Sequence, residues 1–213
     1  MLFNLPFEVL VILIPVLIFS LCVHEFAHGY VAYLLGDNTA ANEGRLTLNP
    51  INHLDLMGSL MILTVGFGWA KPVPVNPLNF KNKEQDMMKV AFAGPASNLI
   101  LAFLGGTAIR YFHFLEFYPG ESIDTAIKLF LYINIALAVF NMIPIAPLDG
   151  SQIFGSFLSK YNPEFAWKLQ LYGPQVLLGL ILFGLITGFS IIHMIMKPFL
   201  SFFIYLFAGI NVI

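Results

Sequence analysis

Long apolar runs, interrupted by few charges, constrain this chain more than any other feature of its sequence. The first run, FEVLVILIPVLIFSLCV at residues 7–23, contains a single charged side chain, Glu8. Charged residues make up 10% of the whole chain and hydrophobic residues 58%, whereas a soluble globular domain carries about 25% charged residues. So few charges cannot cover a water-facing surface, and roughly 20 apolar residues suffice for one membrane helix. The sequence therefore predicts a polytopic membrane protein.

Prolines, glycines and polar turns divide the apolar sequence into five to six predicted membrane helices of an all-α fold. A shorter apolar segment, about 54–68, either crosses the membrane or re-enters it. We find no repeat and no soluble appended domain, so residues 1–213 are expected to form a single membrane domain. The predicted spans lie at about 7–35, 86–112, 122–143, 174–195 and 199–210.

The stretch near residues 40–50 has a different character. Its RLTL motif alternates polar and apolar residues after Gly44, and Asn49-Pro50 closes it. Such alternation between turn signals is typical of a short strand. The sequence therefore predicts a short membrane-associated β segment near residues 40–50.

The distribution of charge predicts an orientation in the membrane. The loop 69–89 carries four lysines, whereas the turn 113–121 carries Glu116 and Glu121. Because lysines are enriched in cytoplasmic loops, we expect the loop to face the cytoplasm and the turn to face the other side. The net charge of −2 and the absence of any basic run argue against a nucleic-acid partner.

Three ionisable residues lie at the end of the first apolar run, in the motif HEFAH at 24–28. On a helix, His24 and His28 project from one face one turn apart, which suits two ligands of one metal ion. Glu25 lies beside them and can act as a general base on water. The alternative is a pair of core histidines hydrogen-bonded across helices. Ionisable groups within membrane spans usually mark a functional site, which favours the metal.

A catalytic zinc normally takes three protein ligands, so a third ligand is needed. Asp149 is the best candidate, because it ends a span that returns to the predicted cytoplasmic side, where His24 and His28 also lie. A carboxylate would also balance the charge of Zn²⁺ with two neutral imidazoles and a hydroxide, which matters at low dielectric. As an alternative, Asp149 could be a turn residue in PLDG. The other candidates are His53, His113, His193, Asp37 and Asp55.

Three ordered motifs resemble the site-2 protease family of intramembrane zinc metalloproteases, in its short prokaryotic branch. They are HEFAH near the start, FAGPASN at 92–98 and NMIPIAPLDG at 141–150, accompanied by GRLTLNP and GWAKPVPVNP. The resemblance implies one Zn²⁺ per chain, an acid–base role for Glu25, and roles near the substrate for two asparagines. The implied zinc ligands are His24, His28 and Asp149, and the implied asparagines are Asn141 and Asn98.

The resemblance also implies a function: an endopeptidase that cleaves peptide bonds in or near transmembrane segments of membrane-protein or membrane-bound peptide substrates. The expected location is the lipid bilayer of a prokaryotic cell membrane, with the active site toward the cytoplasm. The β segment would then offer an unwound substrate a strand edge. The alternative function is a metal-ion transporter or channel that uses the His and Asp residues as ion ligands. Such a protein would not need Glu25, and many transporters contain inverted-repeat halves; we see none in this sequence.

Overall fold

The computed structural model describes residues 6–65 and 68–210 and, within them, an all-helical architecture without β-strands. Two 3₁₀ turns, Pro50–Asn52 and Pro77–Asn79, lie in the connections. The α-helices are α1 (Phe7–Leu34), α2 (Thr39–Asn42), α3 (Leu56–Val65), α4 (Lys83–Phe114), α5 (Glu121–Asn141), α6 (Asp149–Tyr161), α7 (Pro163–Thr187) and α8 (Ile191–Ala208).

Five of these helices, α1, α4, α5, α7 and α8, are long and apolar enough to cross a membrane. This confirms an integral membrane protein with an all-helical fold. The short helix α3 contains 10 residues, or roughly 15 Å at 1.5 Å per residue. That length is about half of the hydrocarbon thickness, so α3 by itself cannot span a bilayer.

The β segment predicted near residues 40–50 is wrong. Residues 39–42 form α2, and an isolated antiparallel bridge joins Leu54 to Ala70 instead. The RLTL alternation is only four residues long, and local contacts rather than a partner strand satisfy the backbone there, including a 2.8 Å hydrogen bond from the Arg45 N–H to the Ala40 carbonyl. The carbonyl of Gly44 accepts a hydrogen bond from Asn52 Nδ2 at 3.0 Å, and the carbonyl of Thr47 lies 2.6 Å from His53 Nε2.

The boundaries of the last two helices also differ from prediction. Helix α7 begins at Pro163, where Asn162 caps the helix by accepting a 3.0 Å hydrogen bond from the backbone N–H of Phe165. Proline at the first helical position is favourable, because its missing N–H would have had no partner there. Pro174 and Pro198, which we expected to bound spans, lie inside α7 and α8.

The core of the bundle is formed by α1, α4 and α5, with α8 packed against α4 and α5. Apolar side chains of α4, α5 and α8 build its largest cluster, in which Ile135, Leu200 and Ile204 are almost completely buried. Helix α7 packs against α6 and α8 and leaves much of its length exposed. The three central helices therefore form a rigid frame, and a cleft remains between this frame and α7.

Arg110 defines the direction of α8. Its guanidinium, near the end of α4, donates to the backbone carbonyls of Phe207 at 2.7 Å and Leu206 at 2.8 Å, at the end of α8. Helices α4 and α8 therefore run parallel, while α5 runs back between them. Because α5 ends and α8 begins at the same end of the bundle, α6 and α7 together must start and finish at that end. This holds although α7 is by itself long enough to cross a membrane.

This arrangement predicts the sidedness of the α7–α8 turn. In a Cys22→Ser background, we expect Leu78→Cys, Phe165→Cys and Phe189→Cys to react with a membrane-impermeant thiol reagent from one face. Tyr118→Cys should react from the opposite face. Labelling of Phe189→Cys together with Tyr118→Cys would instead mean that α7 crosses the membrane completely.

Candidate metal centre

His24 and His28 lie one turn apart on the buried face of α1, as their spacing predicts. Their Nε2 atoms are 3.0 Å apart, and the two rings meet edge to face. The i, i+4 spacing explains this approach, because side chains four positions apart stack on the same helix face. Two imidazole nitrogens therefore point at one small volume between α1 and α4.

The turn between α5 and α6 brings Asp149 to the same volume. Asp149 Oδ2 lies 3.2 Å from His24 Nε2 and 3.4 Å from His28 Nε2. Gly150 makes this possible, because a β-carbon there would lie 2.6 Å from the backbone carbon of Met142. The small residue lets the start of α6 fold tightly against the end of α5, which aims the carboxylate at the histidines.

The outer ring nitrogens show which tautomers the histidines adopt. His28 Nδ1 lies 2.7 Å from the carbonyl oxygen of Val90. A backbone carbonyl only accepts hydrogen bonds, so His28 donates from Nδ1 and keeps a lone pair on Nε2. His24 Nδ1 lies 2.6 Å from Asn98 Oδ1. The Asn98 nitrogen faces the carbonyl of Ser20 at 3.3 Å, so its oxygen must face His24.

With these tautomers, three acceptor atoms lie close together: His24 Nε2, His28 Nε2 and Asp149 Oδ2. Within the described part of the chain, no hydrogen-bond donor satisfies that buried carboxylate oxygen. An unsatisfied buried acceptor costs about 1–3 kcal/mol, so a cation is needed to make this arrangement favourable. Two imidazoles and one carboxylate, all within 4.8 Å of one another, are a donor set suited to a tetrahedral zinc with one open position. The residues present therefore fit zinc.

Gly94 of α4 gives the metal centre its space. A β-carbon at this position would lie 2.6 Å from His24 Nε2 and would also collide with His28 Nε2. No other residue type has room there, because a real β-carbon does not approach another heavy atom so closely. The glycine in FAGPASN is thus a packing requirement of the metal centre.

Glu25 lines the same cleft as His24, His28 and Asp149, and a backbone N–H orients its carboxylate. Its Oε2 accepts a 2.9 Å hydrogen bond from the N–H of Val73. No donor among the described residues reaches Oε1, which is therefore available for a reacting water. The carboxylate is held by one oxygen while the other remains open.

Two buried side chains hold the irregular segment 71–76, to which Val73 belongs. Arg45 Nη2 donates to the carbonyls of Lys71 at 2.9 Å and Pro72 at 3.1 Å. Asp37 accepts a 2.7 Å hydrogen bond from the backbone N–H of Asn76. Both ends of the segment are therefore fixed, and the N–H that orients Glu25 is fixed with them.

Asp37 is ionised in this role. Burial by itself raises the pKa of its carboxyl, but hydrogen bonds from Thr39, Asn76 and Asn79 outweigh that effect and lower the pKa below its ordinary value. The carboxylate accepts from Asn79 Nδ2 at 2.7 Å and from the Thr39 N–H at 3.1 Å. Asp37 is therefore a structural anion that joins the end of α1 to segment 71–76.

The remaining candidate ligands lie elsewhere. His53 is buried against the Thr47 carbonyl, and Asp55 accepts from the first turn of α3 through the N–H of Gly58 at 2.7 Å. His113 and His193 are exposed, in the last turn of α4 and the first turn of α8. Among the described residues, only His24, His28 and Asp149 form a group with metal-ligand spacing.

The two asparagines predicted near the substrate have different surroundings. Asn141 lines the cleft and donates from Nδ2 to the Leu137 carbonyl at 3.0 Å. Asn98 is fully buried, and its amide is bonded to His24, Ser20 and Asn134. The structure thus places Asn141 where a substrate can reach it and Asn98 behind a histidine.

Sequence reasoning did not identify Ser20 or Asn134 as part of this region. Both are fully buried, and they bond to each other through Asn134 Nδ2 and Ser20 Oγ at 2.9 Å. The signal was present, since each is a polar residue inside a long apolar span. Such residues usually bond across helices or mark function.

The metal centre lies at the polar end of a cleft of about 930 Å³ between α1, α5 and α7. Apart from the polar end, apolar side chains dominate the lining. They include Leu13, Leu17, Ile133, Leu137, Leu177 and Ile181. The cleft therefore suits an apolar segment with one polar group presented to His24, His28, Glu25 and Asp149.

Comparison with known proteins identifies zinc metalloproteases among the relatives of this chain. The sequence profile of peptidase family M50 matches residues 118–182. "Putative zinc metalloprotease YwhC" of Bacillus subtilis (strain 168) is 45% identical over 152 residues, which cover 70% of this chain and 69% of that relative. "Putative zinc metalloprotease MJ0611" of Methanocaldococcus jannaschii is 30% identical over 68% of this chain and 67% of that relative.

Another relative is longer than this chain. "Putative zinc metalloprotease Rip2" of Mycolicibacterium smegmatis is 32% identical over 162 residues, which cover 73% of this chain but 60% of the relative. No solved structure matches the chain significantly. The similarity to these relatives therefore concerns the shared protease region.

The close contact of Gly94 with the two histidines predicts that an alanine at this position leaves the fold intact but removes the metal. Gly94→Ala should favour the α4 helix by up to about 1 kcal/mol, because alanine is the better helix former. Its methyl group should nevertheless displace the ligand nitrogens, so we expect the purified protein to contain far less than one zinc per chain by atomic absorption. Gly179→Ala, on α7 with no atom within 4 Å of the new methyl group, should keep its zinc. Full zinc content in Gly94→Ala would contradict the proposed position of the metal.

Proposed function

This chain belongs to peptidase family M50, the site-2 protease family, and we propose that it cleaves peptide bonds within or near transmembrane segments of other proteins. The family membership makes it a zinc metalloprotease embedded in a lipid bilayer. The observation that carries the proposal is the convergence of three acceptor atoms beside Glu25, at the end of an apolar cleft.

His24, His28 and Asp149 would hold the zinc. When bound, zinc polarises the scissile carbonyl and lowers the pKa of water at the site. All three residues line the cleft, so a substrate bound in the cleft would lie next to the metal. We propose residues 1–213 as one membrane protease domain around this site.

Glu25 would move the proton. Its free Oε1 accepts a proton from water and returns it to the leaving amine nitrogen, a general acid–base contribution of about 10²–10⁴ in rate. The Val73 N–H holds Oε2 during both transfers, so the carboxylate need not reorient. Asn141 lines the same cleft, and its amide would donate to the developing oxyanion.

The cleft supports a membrane-spanning substrate. A transmembrane helix buries its peptide bonds in its own hydrogen bonds, so the scissile segment must unwind before water reaches it. In lipid the freed N–H and C=O groups need new partners at once. Val75 lines the cleft, and neither its N–H nor its C=O has a hydrogen-bond partner among the described residues. We therefore propose that the unwound substrate contacts segment 71–76 instead of residues 44–48.

The transporter alternative is not favoured. Glu25, oriented by Val73 with one oxygen left open, has a role in hydrolysis and none in ion passage. The relatives are also named as metalloproteases.

We also propose that the metal centre lies toward the cytoplasmic side of a prokaryotic cell membrane. The lysines of loop 69–89, Lys160 in the last turn of α6 and Lys168 of α7 lie at the end of the bundle nearer to the site. Such residues are enriched on the cytoplasmic side. The cysteine labelling described above tests this assignment when it is carried out on intact cells and on inverted vesicles.

Glu25→Gln tests the hydrolytic mechanism. The amide oxygen can still accept from Val73 N–H, so folding and zinc content should remain close to wild type. Cleavage of single-span reporter proteins in proteoliposomes, followed by mass spectrometry, should fall by at least about 100-fold because the proton carrier is lost.

Two outcomes would contradict this assignment. Wild-type cleavage by Glu25→Gln would exclude Glu25 as the general base. Loss of zinc from a folded Glu25→Gln protein would make Glu25 a metal ligand instead. Asp149→Ala, measured in parallel, should lose zinc, whereas His53→Ala should not.

The need to unwind predicts a substrate preference. Replacing Ala by Gly next to the scissile bond lowers helix stability by about 1 kcal/mol, so initial cleavage rates should rise about fivefold per substitution. The same change in a short peptide that lacks the transmembrane segment should alter its rate little, because that peptide is already unfolded. Equal sensitivity of both substrates would show that the glycine acts by side-chain recognition and not by unwinding.

A further inference from the structure

A chain of buried polar side chains crosses the bundle behind His24. It consists of Ser20 on α1, Asn98 on α4 and Asn134 on α5, each with 0% of its surface exposed. In apolar surroundings every donor and acceptor of such groups must be paired, or the group costs several kcal/mol. The pairing therefore determines which way each amide points.

Backbone carbonyls set the direction of the chain at its far end. Asn134 Nδ2 donates to the Phe130 carbonyl at 2.9 Å and to Ser20 Oγ at 2.9 Å. Ser20 Oγ in turn donates to the Val16 carbonyl at 2.8 Å. Since carbonyls only accept, the Asn134 nitrogen must face Phe130. Its oxygen is then left for Asn98.

The same direction passes through Asn98. Its Nδ2 donates to Asn134 Oδ1 at 2.9 Å and to the Ser20 carbonyl at 3.3 Å. Its oxygen remains for His24 Nδ1 at 2.6 Å. Rotating the Asn98 amide by half a turn would set its oxygen against two acceptors and its nitrogen against the N–H of His24.

We propose that Asn134 is a positioning residue of the metal centre: it fixes the amide orientation of Asn98 and, through it, the tautomer of His24. This inference rests on the proposed role of His24 as a metal ligand. His28 needs no such support, because a backbone carbonyl holds its Nδ1 directly. His24 is held by a side-chain amide that can rotate. Two acceptors hold the nitrogen of that amide, and Asn134 Oδ1 at 2.9 Å is nearer than the Ser20 carbonyl at 3.3 Å.

The test is the zinc affinity of Asn134→Leu, which keeps the side-chain size and removes the amide. Changing a residue that is hydrogen-bonded to a metal-bound histidine typically weakens metal binding 10–100-fold. Asn134 acts through one further hydrogen bond, because it contacts Asn98 and not His24 itself. We expect zinc binding about 10-fold weaker in competition with a chelator, and an altered absorption spectrum of the cobalt-substituted protein. Affinity within about twofold of wild type, with an unchanged cobalt spectrum, would overturn the proposal.

Ile135→Ala is the matched control for packing. Ile135 is the next residue on α5 and is equally buried, but it faces the apolar cluster shared with α8. Its truncation should lower the free energy of unfolding and leave zinc affinity unchanged. Equal weakening of zinc binding in Ile135→Ala and Asn134→Leu would mean that general destabilisation is responsible, and the positioning role would be wrong.

A double-mutant cycle with Asn98→Asp isolates the orientation effect. A carboxylate accepts from His24 with either oxygen, so in the Asn98→Asp background Asn134→Leu should weaken zinc binding by no more than about twofold. A loss as large as in the wild-type background would overturn the proposal. If Asn134→Leu does not fold, Ser20→Ala takes its place, because it removes an acceptor of the Asn134 amide and should weaken zinc binding in the same direction.

His24→Ala separates this inference from the proposed function. Loss of zinc from His24→Ala together with unchanged affinity in Asn134→Leu would overturn the positioning role and leave the metal centre standing. Full zinc affinity in His24→Ala would overturn both.

Discussion

The antiparallel match between α1 and α4 is the interaction on which the rest of this protein depends. Three residues spaced four apart on one face of α1 are polar, and three residues spaced four apart on α4 lie opposite them. On α4, Asn98 supplies an amide, Gly94 leaves room for the two imidazole rings, and Val90 supplies a backbone carbonyl. The positions are 20, 24 and 28 on α1 and 98, 94 and 90 opposite them on α4.

This match matters because the site lies in apolar surroundings. An imidazole that binds a metal through Nε2 must place its Nδ1–H somewhere, and water is scarce within a bilayer. Helix α4 meets this need twice, with the Val90 carbonyl for His28 and the Asn98 amide for His24. The first partner is fixed by the helix backbone, and the second needs support from α5. The metal centre thus requires all three central helices, although only α1 and the start of α6 carry ligands.

The parts of the site that could be predicted from the sequence are those set by local spacing. The spacing of His24 and His28 is sufficient to place both rings together on any α-helix, and chain direction is sufficient to bring Asp149 near them. Asn134 could not be paired in this way, because its partners depend on how three helices are rotated against one another. The start of α7 was missed because Pro163 and Pro174 both permit a helix to begin, and only the Asn162 cap distinguishes them.

The error near residues 40–50 has a physical cause that bears on catalysis. Irregular backbone beside a membrane site is tolerated where the protein itself satisfies its polar groups. Here side chains provide that satisfaction in place of a strand: Arg45 binds the carbonyls that begin segment 71–76, and Asp37 binds the N–H at its end. Prolines remove two further N–H groups from the segment, so few donors remain to be paired. One of them, at Val73, is used on Glu25. Segment 71–76 therefore orients Glu25, the proposed general base, and Arg45 and Asp37 contribute to that orientation because they fix the segment.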